Sequence, residues 1–370
     1  MKKAKIGVIG CGNISEIYLK NLTSVFQNTE VVAVTDLCRE NAIKRAEQFG
    51  IPKVADSNEE LLAMQEIEIV VVLTIPSTHY LICKEAIRAG KHVYVEKPIA
   101  MGLDEGQELL ELAKEKDVRL CCAPDTMLGA NIQTARKLID DGWLGKPIGC
   151  HAHLLYPGSE SWHPNPEFLY KHGAGPLFDV GPYYCMGISY LLGCVEEVSA
   201  MGAITFPKRK ITSEPLYGQM IDVEVPTFLT CSLRTENSTL VNMILTFDVQ
   251  DTRFGAFEME IYGEDGTLSM QAPPFFDGKI LYKKKGWSDW SEIPTMYCYK
   301  EDSRGVGVAD LASAIESNRP HRLSGEMGYH TLEIMHAILK SQETGNAVFL
   351  KSRYERSSGL PLHLSVGEMD

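Results

Sequence analysis

Gly10, Gly12, Asp36, Lys97, Asp179 and Tyr183 are the residues of this sequence whose types and spacing could do chemistry. Gly10-x-Gly12 closes a β-branched run, and Asn13, Ile14 and Ser15 follow it. Glycine at the first two positions permits a tight turn and lets pyrophosphate oxygens approach the N–H groups of a helix start. The third position needs only a small residue, and Ser15 is small enough. Asp36 ends the next β-branched run, 24 residues after Gly12, where a carboxylate can accept hydrogen bonds from adenosine ribose hydroxyls. It would repel a 2′-phosphate, so the expected cofactor is NAD, with NADP less favoured. Arg39 reads either as softening that preference or as a solvated helix residue. Lys97, in Glu96-Lys97-Pro98, falls at the carboxyl end of a parallel strand, where ligands of open α/β sheets bind. Pro98 offers no N–H to a ladder and ends the strand.

The remaining pair lies in 173-GAGPLFDVGPYYCMG-187, which is either a buried helix start or a place for chemistry. Asp179 stands one helical turn before Tyr183 and on the same face. It can cap the helix, orient a ligand, or do both. Tyr184 points about 100 degrees away and reads as packing.

These residues need a frame. From Lys5 to about Ala123, short β-branched runs (5–10, 31–36, 68–75, 92–97, 118–123) alternate with runs of helical spacing (14–25, 39–50, 79–90, 104–116). That is the pattern of a parallel sheet wrapped by helices. Beyond residue 124, one helix (131–143) precedes alternating strands such as 239–249 and 254–270, then a long helix (326–345) and a short strand (347–352). The expected division is an α/β dinucleotide-binding domain over 1–123 and an α+β domain with a large, mostly antiparallel open sheet over 124–370. The stretch after Ser357 reads as a mobile tail.

Composition narrows the partners. A net charge of -13 argues against nucleic acid or anionic lipid, because phosphate binding wants clustered Lys and Arg. No stretch approaches the ~20 apolar residues of a membrane span, and no apolar leader follows Met1. The ten cysteines are scattered without a Cys-x-x-Cys, so neither zinc nor a disulfide framework is expected, and a reducing cytoplasm fits. His151-x-His153 would share one strand face but lacks a third ligand at suitable spacing, so no metal is expected. Cys185 has no nearby histidine to make it a nucleophile.

Taken in order, 7-GVIGCGNIS-15, 74-TIPSTHY-80, 90-GKHVYVEKPIA-100, the 173–187 stretch and 336-HAILKSQETGNAVFL-350 resemble the glucose-fructose oxidoreductase, inositol dehydrogenase and rhizopine-catabolism (Gfo/Idh/MocA) family. The likeness spans nearly the whole chain. It implies a Rossmann domain in which Gly10, Gly12, Asn13, Ile14 and Asp36 hold the cofactor, Thr74, Ile75, Pro76 and His79 line it, and Glu96 lies near the nicotinamide ribose. A packing role is the alternative for His79. Lys97 would hold the substrate hydroxyl and help set the ionisation of the partner base. The family's Gly-Gly-Gly-x-x-x-Asp-x-Gly-x-His is matched here by Gly173, Ala174, Gly175, Asp179, Gly181 and Tyr183. Tyrosine thus replaces histidine, as in the glucose-fructose oxidoreductase and dimeric dihydrodiol dehydrogenase branches.

A tyrosine with a pKa of ~10 needs about 4 kcal/mol to serve as a base near neutrality. An ammonium at ~4 Å in an effective dielectric of ~20 supplies about that much. Asp125 and Thr126 stand where the family more usually has Arg or Asn, which unsettles any transfer of a substrate pattern. They remain substrate candidates, together with the 156–175 loop. In that loop Tyr156, Trp162, His163 and Glu167 could stack on a sugar face or bond its hydroxyls, and a packed surface loop is the alternative.

The leading expectation is hydride transfer between nicotinamide and a secondary hydroxyl of a sugar, cyclitol or glycoside. Two alternatives stand beside it: glycoside cleavage through transient C3 oxidation with bound NAD, and a non-enzymatic nucleotide or sugar sensor. The resemblance also implies a homodimer or homotetramer formed through the second domain's sheet.

Overall fold

The structure is a computed structural model that describes residues 2–370. Strands β1 (Ala4–Ile9), β2 (Thr29–Thr35), β3 (Lys53–Val54), β4 (Ile69–Val72), β5 (His92–Val95) and β6 (Leu120–Cys122) pair in the order β3-β2-β1-β4-β5-β6, every pair parallel. Helices α1 (Ser15–Ser24), α2 (Arg39–Phe49), α3 (Asn58–Ala63), α4 (Pro76–Arg88) and α5 (Leu103–Glu115) alternate with them. All of β4 is buried, which is why its sequence is an unbroken apolar run rather than an alternation. The strand order reverses between β1 and β4, and that reversal opens a crevice at their carboxyl ends. The expected runs overshoot the ladders at this edge: 68–75 contracts to Ile69–Val72 and 92–97 to His92–Val95. The chain leaves the sheet early there, and the residues released are Thr74, Ile75, Glu96 and Lys97.

After α6 (Ala130–Asp140) come β7 (Pro147–Leu155), α7 (Gly175–Asp179), α8 (Gly181–Leu192) and β8 (Val195–Ala203). A separate ladder of β9 (Lys208–Lys210) and β10 (Met220–Asp222) follows. Then come β11 (Phe228–Thr235), β12 (Leu240–Thr246), β13 (Phe257–Gly263), β14 (Gly266–Gln271), β15 (Ile280–Lys284) and β16 (Ser291–Ile293), and the last elements are α9 (Val306–Glu316), α10 (Gly325–Thr344) and β17 (Val348–Phe349). Nine of these strands form one sheet in the order β16-β15-β14-β13-β7-β12-β11-β8-β17, antiparallel except where β7 meets β12. Alternation sets Leu229, Cys231 and Leu233 of β11 and Val241, Met243 and Leu245 of β12 on one buried face. Against this face lies α8, buried almost throughout, with the Tyr184 hydroxyl donating to the His153 carbonyl at 2.5 Å. On β8 the Ala200 amide donates to Ser341 of α10 at 2.9 Å.

The compact units are Met1–Gln133 with Met296–Leu332 and Arg353–Asp370, and Thr134–Thr295 with Glu333–Ser352. The division expected at 123/124 differs from them, because α9 and the stretch after Ser352 belong with the first unit. α9 gives no helical stripe in the sequence: Val306 through Ala314 are all buried, so no face is polar. The stretch after Ser357, expected to be mobile, is instead tied down. Ser357 donates to the Arg322 carbonyl at 3.0 Å, the Leu360 amide donates to Gln133 at 2.8 Å, and Arg322 donates to Asp370 at 2.8 Å. These anchors are main-chain and ionic, and they leave no periodic apolar pattern to read.

Among the described residues no helix is long and apolar enough to cross a membrane. Among the same residues no three His, Cys, Asp or Glu side chains are grouped to hold a metal ion. His151 and His153 sit 3.1 Å apart on β7, and His153 also faces the Gly255 carbonyl at 2.7 Å.

Candidate active site

In the first unit the crevice is built chiefly from backbone. Gly10 has φ +102, and a Cβ there would lie 2.7 Å from the Leu73 carbonyl carbon and 2.9 Å from the Thr74 nitrogen. Only glycine lets the end of β1 pass the end of β4 so closely. Gly12 is the reverse case: a Cβ would meet nothing within 4 Å, so open space stands over the loop. Ser15, buried, turns its hydroxyl back to the Gly12 carbonyl at 2.6 Å, which fits it to the third position. No side-chain bond caps the amino end of α1, and its first two amides, of Ser15 and Glu16, donate to the Gly12 and Asn13 carbonyls, both at 3.3 Å. At the end of β2, Asp36 accepts from the Cys11 amide at 2.6 Å and the Cys38 amide at 2.8 Å, which fixes the carboxylate beside the loop. Leu37 next to it is fully exposed. Arg39 pairs with Asp56 at 2.7 Å on the surface, in keeping with the solvated reading.

The next two loops are joined by His79. Its ring is buried, with Nδ1 2.7 Å from the Pro98 carbonyl and Nε2 3.0 Å from the Thr74 carbonyl. Burial pushes its pKa below the usual imidazole value, against the pull of the two carbonyls. His79 therefore fixes the Thr74 and Pro98 loops to each other and does not present its ring as a lining group. Ile75 and Pro76 are exposed beside it. Glu96 accepts from the Tyr18 hydroxyl at 2.7 Å and from the Lys97 amide at 2.9 Å. Lys97 is half-buried.

Asp125 and Thr126, expected to meet substrate, are buried. The Asp125 carboxylate accepts from the Tyr94 hydroxyl and from the amides of Gly305 and Gly307 at the start of α9. An acidic group at a helix amino end satisfies orphan N–H groups, and this one is committed there. Burial pushes the Asp125 carboxyl up to about 7, against the hydrogen bonds from Tyr94 and Gly305. The Thr126 hydroxyl is buried and makes no hydrogen bond among the described residues.

The second unit carries Asp179 and Tyr183. Asp179 is the last residue of α7, and the cap position of α8 falls on Val180. Asp179 and Tyr183 are both half-buried, whereas Gly181, Pro182 and Tyr184 between and beside them are buried. In the preceding loop Trp162 and Phe168 are exposed, and both rings stand edge-on to His163, at 5.4 and 5.3 Å. Tyr156 instead packs on Phe257 at 5.8 Å and Phe247 at 6.3 Å.

Beneath this loop lies a cluster that the sequence reading missed. The buried Arg209 pairs with Glu160 and Asp248, and donates to the carbonyls of Pro157 at 3.1 Å and Phe247 at 2.6 Å. Its partners lie 49 and 39 residues away in the chain, so no local spacing announces them.

Two family models match the chain. Residues 4–123 match the oxidoreductase family with an NAD-binding Rossmann fold, and residues 132–269 match the Gfo/Idh/MocA C-terminal domain. The chain belongs to the Gfo/Idh/MocA family. It is 27% identical over 355 residues to the myo-inositol 2-dehydrogenase of Thermotoga maritima, covering 94% of this chain and 98% of that one. To the scyllo-inositol 2-dehydrogenase (NAD(+)) of Bacillus subtilis it is 28% identical over 223 residues, covering 60% of this chain and 62% of the relative. A solved levoglucosan dehydrogenase in complex with NADH and L-sorbose shares the fold, with a TM-score of 0.82 at 19% identity, covering 95% of this chain and 99% of that one. This Gfo/Idh/MocA member is thus an oxidoreductase with an NAD-binding Rossmann domain, and the Gly12 opening, the uncapped α1 and the Asp36 carboxylate fit a dinucleotide.

Proposed function

We propose that this protein is an NAD-dependent dehydrogenase that oxidises a secondary hydroxyl of a sugar, cyclitol or glycoside. One observation carries the reading: the Gly12 opening, Asp36 and Lys97 stand at the carboxyl ends of β1, β2 and β5, one edge of one parallel sheet. The substrate class is supported by relatives that act on inositols.

Gly12, Asn13 and Ile14 hold the pyrophosphate through backbone amides, and Gly10, whose own amide donates to the Thr35 carbonyl at 2.9 Å, makes the turn that brings the oxygens close. Asp36 takes the ribose hydroxyls and repels a 2′-phosphate, and Arg39, already paired with Asp56, does not offset it. Thr74, Ile75 and Pro76 border the cofactor further along the crevice. Bound NAD supplies the hydride acceptor. Lys97 holds the substrate hydroxyl, Tyr183 receives its proton, and Asp179 orients it. Trp162, His163 and the half-buried Tyr156 select the substrate.

The test follows absorbance of the reduced nucleotide with inositols, aldoses and glycosides, using NAD and NADP in parallel. Turnover of at least one polyol with NAD favoured is expected. Lys97→Ala and Tyr183→Phe should each lower kcat/KM by about 10²- to 10⁴-fold, with NAD affinity intact in Tyr183→Phe. No turnover in either direction with any polyol or keto-sugar would sink the reading. The open face of the nine-stranded sheet, with Leu240 and Met201 exposed, supports pairing with a second copy, which sedimentation analysis checks.

A further inference from the structure

Four oxygen-bearing groups run in a line through the interior of the first unit. The Tyr18 hydroxyl is 2.7 Å from Glu96 Oε1 and 3.2 Å from the Tyr94 hydroxyl, and Tyr94 in turn bonds Asp125 Oδ1. Both tyrosines are fully buried, and Asp125 is 2% exposed. The line has three contacts, and the two hydroxyls supply two protons. With both carboxylates ionised, Tyr18 donates to Glu96 and Tyr94 donates to Asp125. The contact between the two hydroxyl oxygens then has no hydrogen, and lone pair faces lone pair in a site closed to water.

One additional proton fills the gap, and it has two placements. On Asp125, all three bonds donate toward Glu96. On Glu96, all three donate toward Asp125. Passing from the first to the second breaks the Asp125 O–H as Tyr94 gains that proton, while Tyr94 gives its own proton to Tyr18 and Tyr18 gives its own to Glu96. No electrons are gained or lost.

We propose that Glu96, Tyr18, Tyr94 and Asp125 form a proton-sharing chain that holds one proton beyond its two hydroxyl protons and passes it between buried Asp125 and Glu96 beside Lys97. The surroundings set where that proton rests. Asp125 faces Tyr94, the Gly305 and Gly307 amides and the more distant charges of Glu96 and Arg304, with the Cys121 thiol also in range. Glu96 faces Tyr18, the Lys97 amide, His79 and the Cys122 thiol. Burial raises the Asp125 carboxyl to about 7, so the additional proton is held below neutrality and released as pH rises through it.

The role given to this chain rests on the reading that Glu96 borders the nicotinamide ribose. Glu96 keeps its negative charge while the ring is cationic and sheds it, drawing the proton from Asp125 through the tyrosines, once the ring is neutral. Tyr18, Tyr94 and Asp125 are then positioning residues that let the charge beside Lys97 follow the redox state.

Infrared difference spectra of the nucleotide-free protein, taken between about pH 5 and about pH 9, decide whether the proton is there. The expected result is the carbonyl stretch of a buried carboxylic acid in the wild type that fades near neutrality and is missing from Asp125→Asn. Glu96→Gln, whose amide donates into the chain in place of the proton, should move the fading to lower pH, and it decides the matter if Asp125→Asn fails to fold. Absence of the band from the wild type, its survival in Asp125→Asn, or an unmoved midpoint in Glu96→Gln overturns the proposal.

A second readout is the ratio of NAD to NADH affinities by calorimetry, expected to drift with pH by up to about tenfold per unit. Tyr18→Phe should flatten that drift while leaving the Asp125 band. A flat ratio in the wild type overturns the coupling. Failure to bind either nucleotide, with the band present, would confirm the held proton and overturn the reading of the cofactor site instead.

Discussion

The two units hold their functional residues by different means. In the first unit backbone does most of the holding: Gly10 against the Leu73 and Thr74 main chain, Asp36 on the Cys11 amide, His79 between two carbonyls. In the second unit the aromatic loop is fixed from below by a buried guanidinium between two carboxylates. Backbone-held positions demand particular residue types at short spacing. Side-chain-held positions demand only that distant partners arrive, and many sequences satisfy that without a visible pattern.

The contrast is most severely tested at Arg209. Removing it in Arg209→Ala leaves Glu160 and Asp248 without their cation, which should cost about 3–5 kcal/mol in denaturant unfolding. A loss near zero would mean that the loop is held otherwise.

Asp125 should show itself next, through pH. Its folded pKa of about 7 lies above the usual carboxylate value, so between about pH 4 and about pH 7 the folded chain binds more protons than the unfolded one. Stability should therefore fall as pH rises through that window and level off above it. About three pH units at about 1.4 kcal/mol each bound the loss at roughly 4 kcal/mol. Unfolding measured at several pH values should show this slope in the wild type relative to Asp125→Asn.

The two glycines sharpen the backbone half. Gly10→Ala should destabilise the fold by about 1–3 kcal/mol through a left-handed φ and a backbone clash. Gly12→Ala has room and should leave the unfolding midpoint almost unchanged, yet weaken NAD binding by about tenfold or more. Smallest of all, Arg39→Ala should shift neither the melting temperature nor the preference between NAD and NADP, since its partner is exposed Asp56.

What the sequence disclosed follows the same division. Strands β1, β2, β4 and β5, the glycine loop and Asp36 were legible because each depends on residues within a few positions of one another. The burial of Tyr184 was legible from helical geometry. Asp125 was misread because its hydrogen-bond partners lie 31, 180 and 182 residues away, in β5 and at the start of α9. α9 itself was missed because a helix buried on every side has no polar face to set its period. The Thr74, Ile75, Glu96 and Lys97 loops were placed at the correct edge but assigned to strands, since apolar content does not mark where a ladder stops.

The return of α9 to the first unit makes the second unit, in topological terms, a pair of insertions, 134–295 and 333–352. Asn28 donates to the Ala309 carbonyl at 2.8 Å and to Ser313 at 3.0 Å, and Asn21 donates to the Asp302 and Arg304 carbonyls at 2.9 and 2.8 Å. A chain made from its amino end exposes Asn21, Asn28 and Asp125 early and produces those partners only after residues 134–295 have been synthesised. The nucleotide-binding half is thus the first to begin folding and among the last to finish. A ribosome-bound chain stopped before α9 carries β1–β6 with a carboxylate that lacks the helix amides it caps and two asparagines that lack their carbonyl acceptors.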